Sequence, residues 1–290
     1  MSAPVVVGFD GSATARTAVQ YGAQEALRRR CGLRIVHAFG WPIILPPFHA
    51  PYDEHDQGPR AAMLDLLAQT AHDVQADHPQ LSVTTRLIDG SPGAVLVGAS
   101  SDAQLLVVGH RGLGGFAGLL VGSVAAQAAE HSRCPVVVVR GDCPPDAAPV
   151  VLGTDGSGGA NRAAEVAFAQ AQLRDVELIL AHHRQARRHP ADAIADGNPS
   201  FWALVGDPAA GGLGVGARYP DVKYRTEVVP GDSVASALIA FARHTSAGLL
   251  VVGSRGGGRF RGLVMGSTSR RLIEHAPCPV MVVPPVHDGD

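Results

Sequence analysis

Short apolar runs alternate with longer segments of mixed polarity along the first half of the chain. The runs are rich in branched side chains, as in strands buried on both faces: Val5 to Phe9, Leu33 to Ala38, Val83 to Ile88, Leu105 to Gly109 and Val136 to Val139. Helix-like stretches lie between them: Ala13 to Arg30, Arg60 to Ala76, Ala94 to Ser101 and Ser123 to His131. This alternation predicts an α/β fold in which crossover helices join parallel strands.

The second half of the chain repeats the first. The runs "VVVGFDGS" at 5–12, "LLVVGHRG" at 105–112 and "EHSRCPVVVV" at 130–139 recur in order at 150–157, 249–256 and 274–283. The chain is therefore predicted to be a tandem duplication, with one domain over 1–141, a second over 147–290, and the proline-rich "RGDCPPDAAP" at 140–149 as linker. In the second half, the glycine-rich segment Gly197 to Tyr219 predicts a shorter or irregular second helix.

The composition indicates a globular protein and argues against several other classes. The 290 residues, 46% of them hydrophobic, can supply two cores, and the net charge of −2 argues against a nucleic-acid partner. The N-terminal "MSAPVVVGFDGS" lacks the pattern of a signal peptide and no long apolar run follows, so we expect a cytoplasmic protein without membrane insertion. The cysteines have no C-x-x-C spacing and are interpreted as reduced thiols.

Two motifs fall at the carboxyl ends of predicted strands, where doubly wound sheets bind ligands. One is "DGS" after the first strand of each half. The other is a glycine-rich loop after the fourth strand: Gly109-x-x-Gly112, nine residues and Gly122-Ser123, repeated as Gly253-x-x-Gly256, nine residues and Gly266-Ser267. The spacing is kept while the intervening letters change, so the pattern indicates that loop geometry matters more than loop side chains.

The end of this loop has the features of a phosphate site. Gly122-Ser123 and Gly266-Ser267 open the next helix, where main-chain N–H groups lack partners and the helix dipole is positive. The alternative is a glycine-rich turn with a serine N-cap and no ligand. A Walker loop is excluded because no lysine precedes either serine, and a Rossmann loop is rejected because it would follow the first strand.

Together with "CPV" at the start of the last strand of each half, these motifs resemble the ATP-binding branch of the universal stress protein family over essentially the whole chain. The resemblance implies two tandem doubly wound domains, each a five-stranded parallel sheet between helices of the adenine nucleotide alpha hydrolase-like kind. It implies one ATP in each domain, often with Mg²⁺ or Mn²⁺ at the phosphates. It also implies dimerisation through the last strand, so the halves could pair with each other and leave another surface for a homodimer.

The resemblance also implies a matched set of ATP contacts in each half. The aspartates would bind near the ribose, main chain at the end of strand two would meet the adenine, and the loop with the first helical turn would hold ribose and phosphates. The loop arginines could neutralise phosphate charge or point to solvent. The candidate set is Asp10, Ala38, Gly109, Arg111, Gly112, Gly122, Ser123, Val124 and Ala125, with Asp155, His183, Gly253, Arg255, Gly256, Gly266, Ser267, Thr268 and Ser269.

Other motifs carry less weight. "HAPYDEHD" at 49–56 and "HHRQARRH" at 182–189 are interpreted as solvated segments, and Cys134 and Cys278 as small apolar residues at a strand entrance. There is no G-x-S-x-G elbow, zinc spacing or positioned general base. The leading hypothesis is an ATP-binding regulatory protein; the alternatives are a weak ATP hydrolase or nucleotidyl-transfer enzyme, and a dimerisation module that binds no nucleotide.

Overall fold

Strands and helices alternate in both halves of the chain, as the hydrophobic pattern predicts. The computed structural model describes residues 2–40, 58–113, 120–141, 143–154, 158–185, 214–255 and 265–285. The strands are β1 Val5–Gly8, β2 Leu33–Phe39, β3 Val83–Asp89, β4 Leu105–Gly109, β5 Val136–Val139, β6 Val150–Thr154, β7 Leu178–Gln185, β8 Tyr224–Gly231, β9 Leu249–Gly253 and β10 Val280–Val283. The helices are α1 Ala13–Arg28, α2 Gly58–Asp77, α3 Pro92–Ala99, α4 Ser123–His131, α5 Gly158–Arg174, α6 Val234–His244 and α7 Ser267–His275.

Helix ends differ by a few residues from the predicted ones, for local reasons. Helix α1 begins after Ser12, whose hydroxyl accepts a hydrogen bond from the Ala15 amide at 3.2 Å. It ends two residues before the predicted Arg30, because Arg30 takes a left-handed conformation with φ of 51°. Helix α3 likewise stops at Ala99, and a 3-10 turn over Ser100–Asp102 replaces its predicted end.

All ten strands form one sheet in the order β3-β2-β1-β4-β5-β10-β9-β6-β7-β8. Strands within each half are parallel, so each half is a five-stranded doubly wound unit between helices. The two units meet where β5 and β10 pair antiparallel, with Met281 opposite Val137. The prediction that the halves pair through their last strands is confirmed. This pairing satisfies main-chain N–H and C=O groups that would be unpaired if β5 and β10 were edge strands.

One core lies on each face of the sheet and runs through both halves. In β1, Val5 and Val7 belong to the core beneath α1, α2 and α5. Val6 belongs to the core on the opposite face, beneath α3, α4, α6 and α7. This alternation is the period of two that a strand imposes on its side chains. Since both faces are covered, the central strands consist of apolar residues at nearly every position.

A buried charge network joins the halves on the α1 and α5 side. Glu25 of α1 is fully buried and accepts hydrogen bonds from Arg28 at 3.1 Å, from Arg174 of α5 at 2.6 Å and from Arg29. The Arg174 guanidinium also donates to the Tyr21 hydroxyl at 2.6 Å. The network therefore ties the end of one domain's first helix to the end of the other's.

Parts of two sequence predictions fall outside the described residues. Of the segment Gly197 to Tyr219, residues 214–219 are described, and Val215–Arg218 form a 3-10 turn rather than an α-helix. "HAPYDEHD" at 49–56 and the end of "HHRQARRH" lie outside the described ranges. Among the described helices, none is long and apolar enough to cross a membrane.

Candidate functional site

The two predicted motifs of the first half meet at one edge of the sheet. Strand β1 lies between β2 and β4, which is the point where the strand order reverses. Asp10 follows β1 by two residues, and Gly109 is the last residue of β4. Ligands of open α/β sheets bind in the crevice outside such strand ends. The topology thus brings "DGS" and the glycine loop to the place where a ligand site is expected.

Asp10 holds the start of the glycine loop. Its Oδ1 accepts a hydrogen bond from the Ser12 amide at 3.0 Å, and its Oδ2 accepts one from the Leu113 amide at 2.9 Å. A Cβ atom on Gly112 would lie 2.3 Å from Asp10 Oδ2, so a larger residue would push the carboxylate away. The presence of both "DGS" and this glycine therefore has a geometric reason in the first half.

Thr14 forms a second contact between the motifs, which the sequence patterns did not indicate. Its hydroxyl donates a hydrogen bond to the Arg111 carbonyl. A Cβ on Gly109 would lie 2.9 Å from the carbonyl carbon and oxygen of Thr14, so glycine is required where β4 passes α1. The matched position in the second half is Gly159, which explains why comparison of the repeats gave no signal for Thr14.

The helices that follow the loops begin in the same way in both halves. Gly122 is the N-cap of α4 and Gly266 is the N-cap of α7, with φ of −70° and −71°, and no side chain caps either helix. The Gly122 amide donates to the His110 carbonyl at 2.8 Å, and the Gly266 amide donates to the Ser254 carbonyl at 2.8 Å. The serine N-cap considered from the sequence is wrong: Ser123 and Ser267 are the first helical residues.

Packing against the described residues requires neither N-cap glycine. Among those residues, a Cβ on Gly122 would have its nearest neighbour at 3.7 Å, and one on Gly266 at 3.6 Å, which are ordinary contacts. Their φ values are open to any residue. This contrasts with Gly109 and Gly112, where a side chain would collide with the protein. Glycine before α4 and α7 is thus explained neither by its backbone conformation nor by contacts with the described residues.

At the first turns of α4 and α7, the exposed side chains of Ser123 and Ser267 lie beside the main-chain donors, whereas the residues that follow are partly or fully buried. Ala125 is buried in the core, and the Ser269 hydroxyl is buried and donates to the Gly253 carbonyl at 2.8 Å. Val124 packs at the rim of the core, and Thr268 is partly exposed. The amide groups of these turns are the ones that a helix leaves without internal partners.

The strand registers show that Ala38 and His183, the two residues predicted to lie near adenine, occupy matching positions in the two halves. Leu33 lies opposite Val5, and Leu178 lies opposite Val150, so Ala38 and His183 each follow the aligned leucine by five residues. His183 Nε2 lies 2.9 Å from the Gly231 carbonyl oxygen, which fixes its ring against β8. The two positions are therefore equivalent in the fold.

A half-buried arginine lies beside the first loop and reaches the other half. Arg140 Nη1 donates to the Leu120 carbonyl at 3.2 Å and to the Ile273 carbonyl of α7 at 3.1 Å. Burial and the nearby Arg111 charge lower the pKa of Arg140. The Arg111 side chain itself is exposed. Arg140 was assigned to the linker by composition, and only its position in the fold marks it as part of this site.

The second site is described in part. Asp155 and Gly256 lie outside the described residues, whereas Gly253 ends β9 and Arg255 is exposed beyond it. Among the residues that the structure describes, no three His, Cys, Asp or Glu side chains cluster as a metal site would require. The described part of the second loop nevertheless repeats the helix start and the loop-closing hydrogen bond of the first.

Known proteins share this organisation. The model of the universal stress protein family matches residues 1–140 and again 148–284. Universal stress protein Rv2623 of Mycobacterium tuberculosis is 32% identical over 96% of this chain and 95% of its own length. Universal stress protein Rv2005c of the same organism is 33% identical over 96% of both chains. A universal stress protein from Archaeoglobus fulgidus shares the fold, with a TM-score of 0.72 over 98% of this chain, 97% of its own length and 20% identity. The duplicated sheet, the paired last strands and the two matching loops are thus those of a tandem protein, and the chain belongs to the universal stress protein family.

Proposed function

We propose that the chain binds one ATP in each half and acts as a nucleotide-dependent regulatory protein. The proposal rests on the pair of uncapped helix starts at Gly122 and Gly266, where the residue is glycine although the described residues leave room for a Cβ. Close approach of a phosphate to the main chain accounts for glycine at both positions. The amides of the first turn and the positive end of the helix dipole supply the attraction.

The remaining predicted contacts fit an adenine nucleotide. The ribose would lie near Asp10 and Asp155, and the adenine near the main chain of Ala38 and His183. Arg111 and Arg255 would neutralise phosphate charge. Mg²⁺ or Mn²⁺ would be held chiefly by the phosphates, as is common for Mg²⁺ at nucleotide sites.

The same geometry favours binding over catalysis. Both Asp10 oxygens already accept main-chain hydrogen bonds and position the loop, so the carboxylate acts as part of the scaffold. We therefore propose that nucleotide occupancy changes a surface recognised by a cytoplasmic partner. A homodimer of chains would use another surface, because β5 and β10 already pair with each other.

The test combines ligand identification with calorimetry. Nucleotide released by denaturing the purified protein is identified by chromatography, and ATP with MgCl₂ is titrated into nucleotide-free protein. We expect two sites in the wild type and one in each of the variants Gly122→Val and Gly266→Val. Loss of two hydrogen bonds to charged phosphate, at about 1.5–3 kcal/mol each, should weaken the altered site by at least about 100-fold.

Gly98→Val is the matched control, because Gly98 is exposed on α3 and a Cβ there meets no atom within 4 Å. It should bind two ATP molecules. Absence of both released nucleotide and ATP binding in the wild type would refute the proposal. Phosphate release that is abolished by Asp10→Ala combined with Asp155→Ala would instead indicate the hydrolase. Sedimentation of the same samples tests the homodimer.

A further inference from the structure

Arg140 connects the first candidate site to the helix that forms the second. It follows β5 directly and lies at the centre of the ten-stranded sheet, where β5 pairs with β10 of the other half. One of its hydrogen bonds goes to Leu120, two residues before the N-cap of α4. The other goes to Ile273 in the last turn of α7, whose first turn follows the second loop. One side chain therefore contacts the segment that leads into the first candidate phosphate helix and the last turn of the second.

The bond to α7 satisfies a group that the helix cannot satisfy itself. Helix α7 ends at His275, so the Ile273 carbonyl belongs to the last four that have no partner within the helix. A guanidinium there also opposes the negative end of the helix dipole. The contact exists in one direction only, because the position matched to Arg140 in the second half is Pro284, which has no side-chain donor.

The positive charge of Arg140 has no paired carboxylate among the described residues. Among the described charges, Glu274 attracts it weakly and Arg111 repels it. Both of its hydrogen bonds to described residues use Nη1, and a guanidinium has five N–H groups in a fixed fork. The remaining N–H groups form no hydrogen bond with a described residue, and they are the ones that an anion at the start of α4 would engage while Nη1 keeps its two carbonyls.

We propose that Arg140 positions the phosphates at the first site and couples that site to the second through α7. Phosphate at α4 would offset the repulsion between Arg111 and Arg140 and hold the guanidinium in place. A fixed Arg140 stabilises the last turn of α7 and with it the helix whose first turn meets the second phosphate. The coupling is positive and, because binding free energies are linked, equal in both directions.

This inference rests on the proposed function, and the experiment separates the two. ATP with MgCl₂ is titrated calorimetrically into the wild type and into Gly122→Val, in which the first site cannot fill. We expect the second site to bind about five-fold more tightly in the wild type than in Gly122→Val, the lower end of typical coupling. The same ratio should appear for the first site when Gly266→Val is compared with the wild type.

Arg140→Gln should reduce both ratios to one and weaken the first site in the Gly266→Val background. Arg140→Lys should keep part of that first-site affinity, because it keeps the charge, but not the coupling, because it loses the fork. If Arg140 had only a structural role, Arg140→Lys would not keep first-site affinity while losing the coupling between the sites. Urea unfolding of each variant checks that the fold remains.

Arg270→Gln is the matched control. It also spans the halves, from α7 to Glu130 of α4 at 2.6 Å, but its side chain is more than half exposed, so its loss should leave the coupling unchanged. If both sites bind ATP independently in the wild type, or if Arg140→Gln keeps the five-fold ratio, the inference is refuted and the proposed function stands. If the wild type binds no ATP, the proposed function fails and the inference with it.

Discussion

Replacing Glu25 with glutamine should destabilise the folded protein by about 3–5 kcal/mol, the usual cost of removing one partner from a buried ion pair. The Glu25 side chain is fully buried, and that of its partner Arg174 is 2% exposed. Without the carboxylate, the Arg174 and Arg29 guanidinium groups stay buried with no opposite charge beside them. The Tyr21 hydroxyl, which accepts from Arg174 at 2.6 Å, compensates only in part.

Urea unfolding followed by circular dichroism measures the loss as a change in midpoint at constant slope. Glu177→Gln is the control, because it removes the same group from a pair with Arg225 in which both side chains are about 40% exposed. Exposed pairs contribute about 0–1 kcal/mol. A loss in Glu25→Gln no larger than that in Glu177→Gln would refute the reasoning.

A double variant tests whether the loss of unfolding free energy in Glu25→Gln arises from its interaction with Arg174. Arg174→Met removes the buried cation but keeps an apolar side chain of similar length. In Glu25→Gln combined with Arg174→Met, the loss should be clearly smaller than the sum of the two single losses, because the second change removes the stranded charge. Additive losses would show that Glu25 and Arg174 act independently.

The same pair predicts how stability depends on pH. Burial alone would raise the pKa of Glu25, but the Arg29 and Arg174 charges lower it, and the net pKa lies below the usual value. A lowered pKa stabilises the fold above the unfolded-state pKa, and this contribution is lost as the pH falls through the folded-state pKa. The difference in unfolding free energy between wild type and Glu25→Gln should therefore be constant from about pH 6 to 8 and shrink below about pH 4.

Two further predictions concern the loop and the thiols. Gly112→Ala should weaken the fold by about 1–3 kcal/mol, since its Cβ would displace the Asp10 carboxylate and free the Leu113 amide. Gly122→Ala, which has room for the Cβ, should stay within about 0.5 kcal/mol of the wild type in the same urea unfolding, and equal losses would contradict the packing argument. Burial raises the pKa of both Cys134 and Cys278 to about 12, so neither should react with a disulfide reagent at pH 8 in the folded protein. All four cysteines should react after unfolding, and rapid labelling of Cys134 in the native state would contradict the burial argument.

The repeats and their hydrophobic pattern predicted the fold because burial of a strand or helix restricts the residue types within that element. Strands buried on both faces must be apolar throughout, and those runs mark β1 to β5 within a residue or two. Helix ends were less predictable. Arg30 stops α1 through a left-handed conformation that its residue type does not indicate.

The candidate site was predictable only where both halves repeat it. The spacing of Gly109, Gly112 and Gly122 appears twice, so it could be read as a loop. The sequence alone could not tell that the first two glycines are needed by the protein, against Thr14 and Asp10, while Gly122 is not. That distinction depends on distances between segments about 100 residues apart.

By itself, the sequence determined the duplication, the parallel α/β halves and the glycine loop that leads into a helix, because periodicity and spacing are properties of the chain. Only the tertiary structure decided how the halves join and which charges they share. Antiparallel pairing of β5 with β10 places Glu25 against Arg174 and Arg140 against Ile273. These partners lie more than 130 residues apart, and the repeat has Gln170 in place of Glu25 and Pro284 in place of Arg140, so no local pattern encodes the contacts. Their positions follow from the burial of two sheet edges against each other, which is a property of the folded chain.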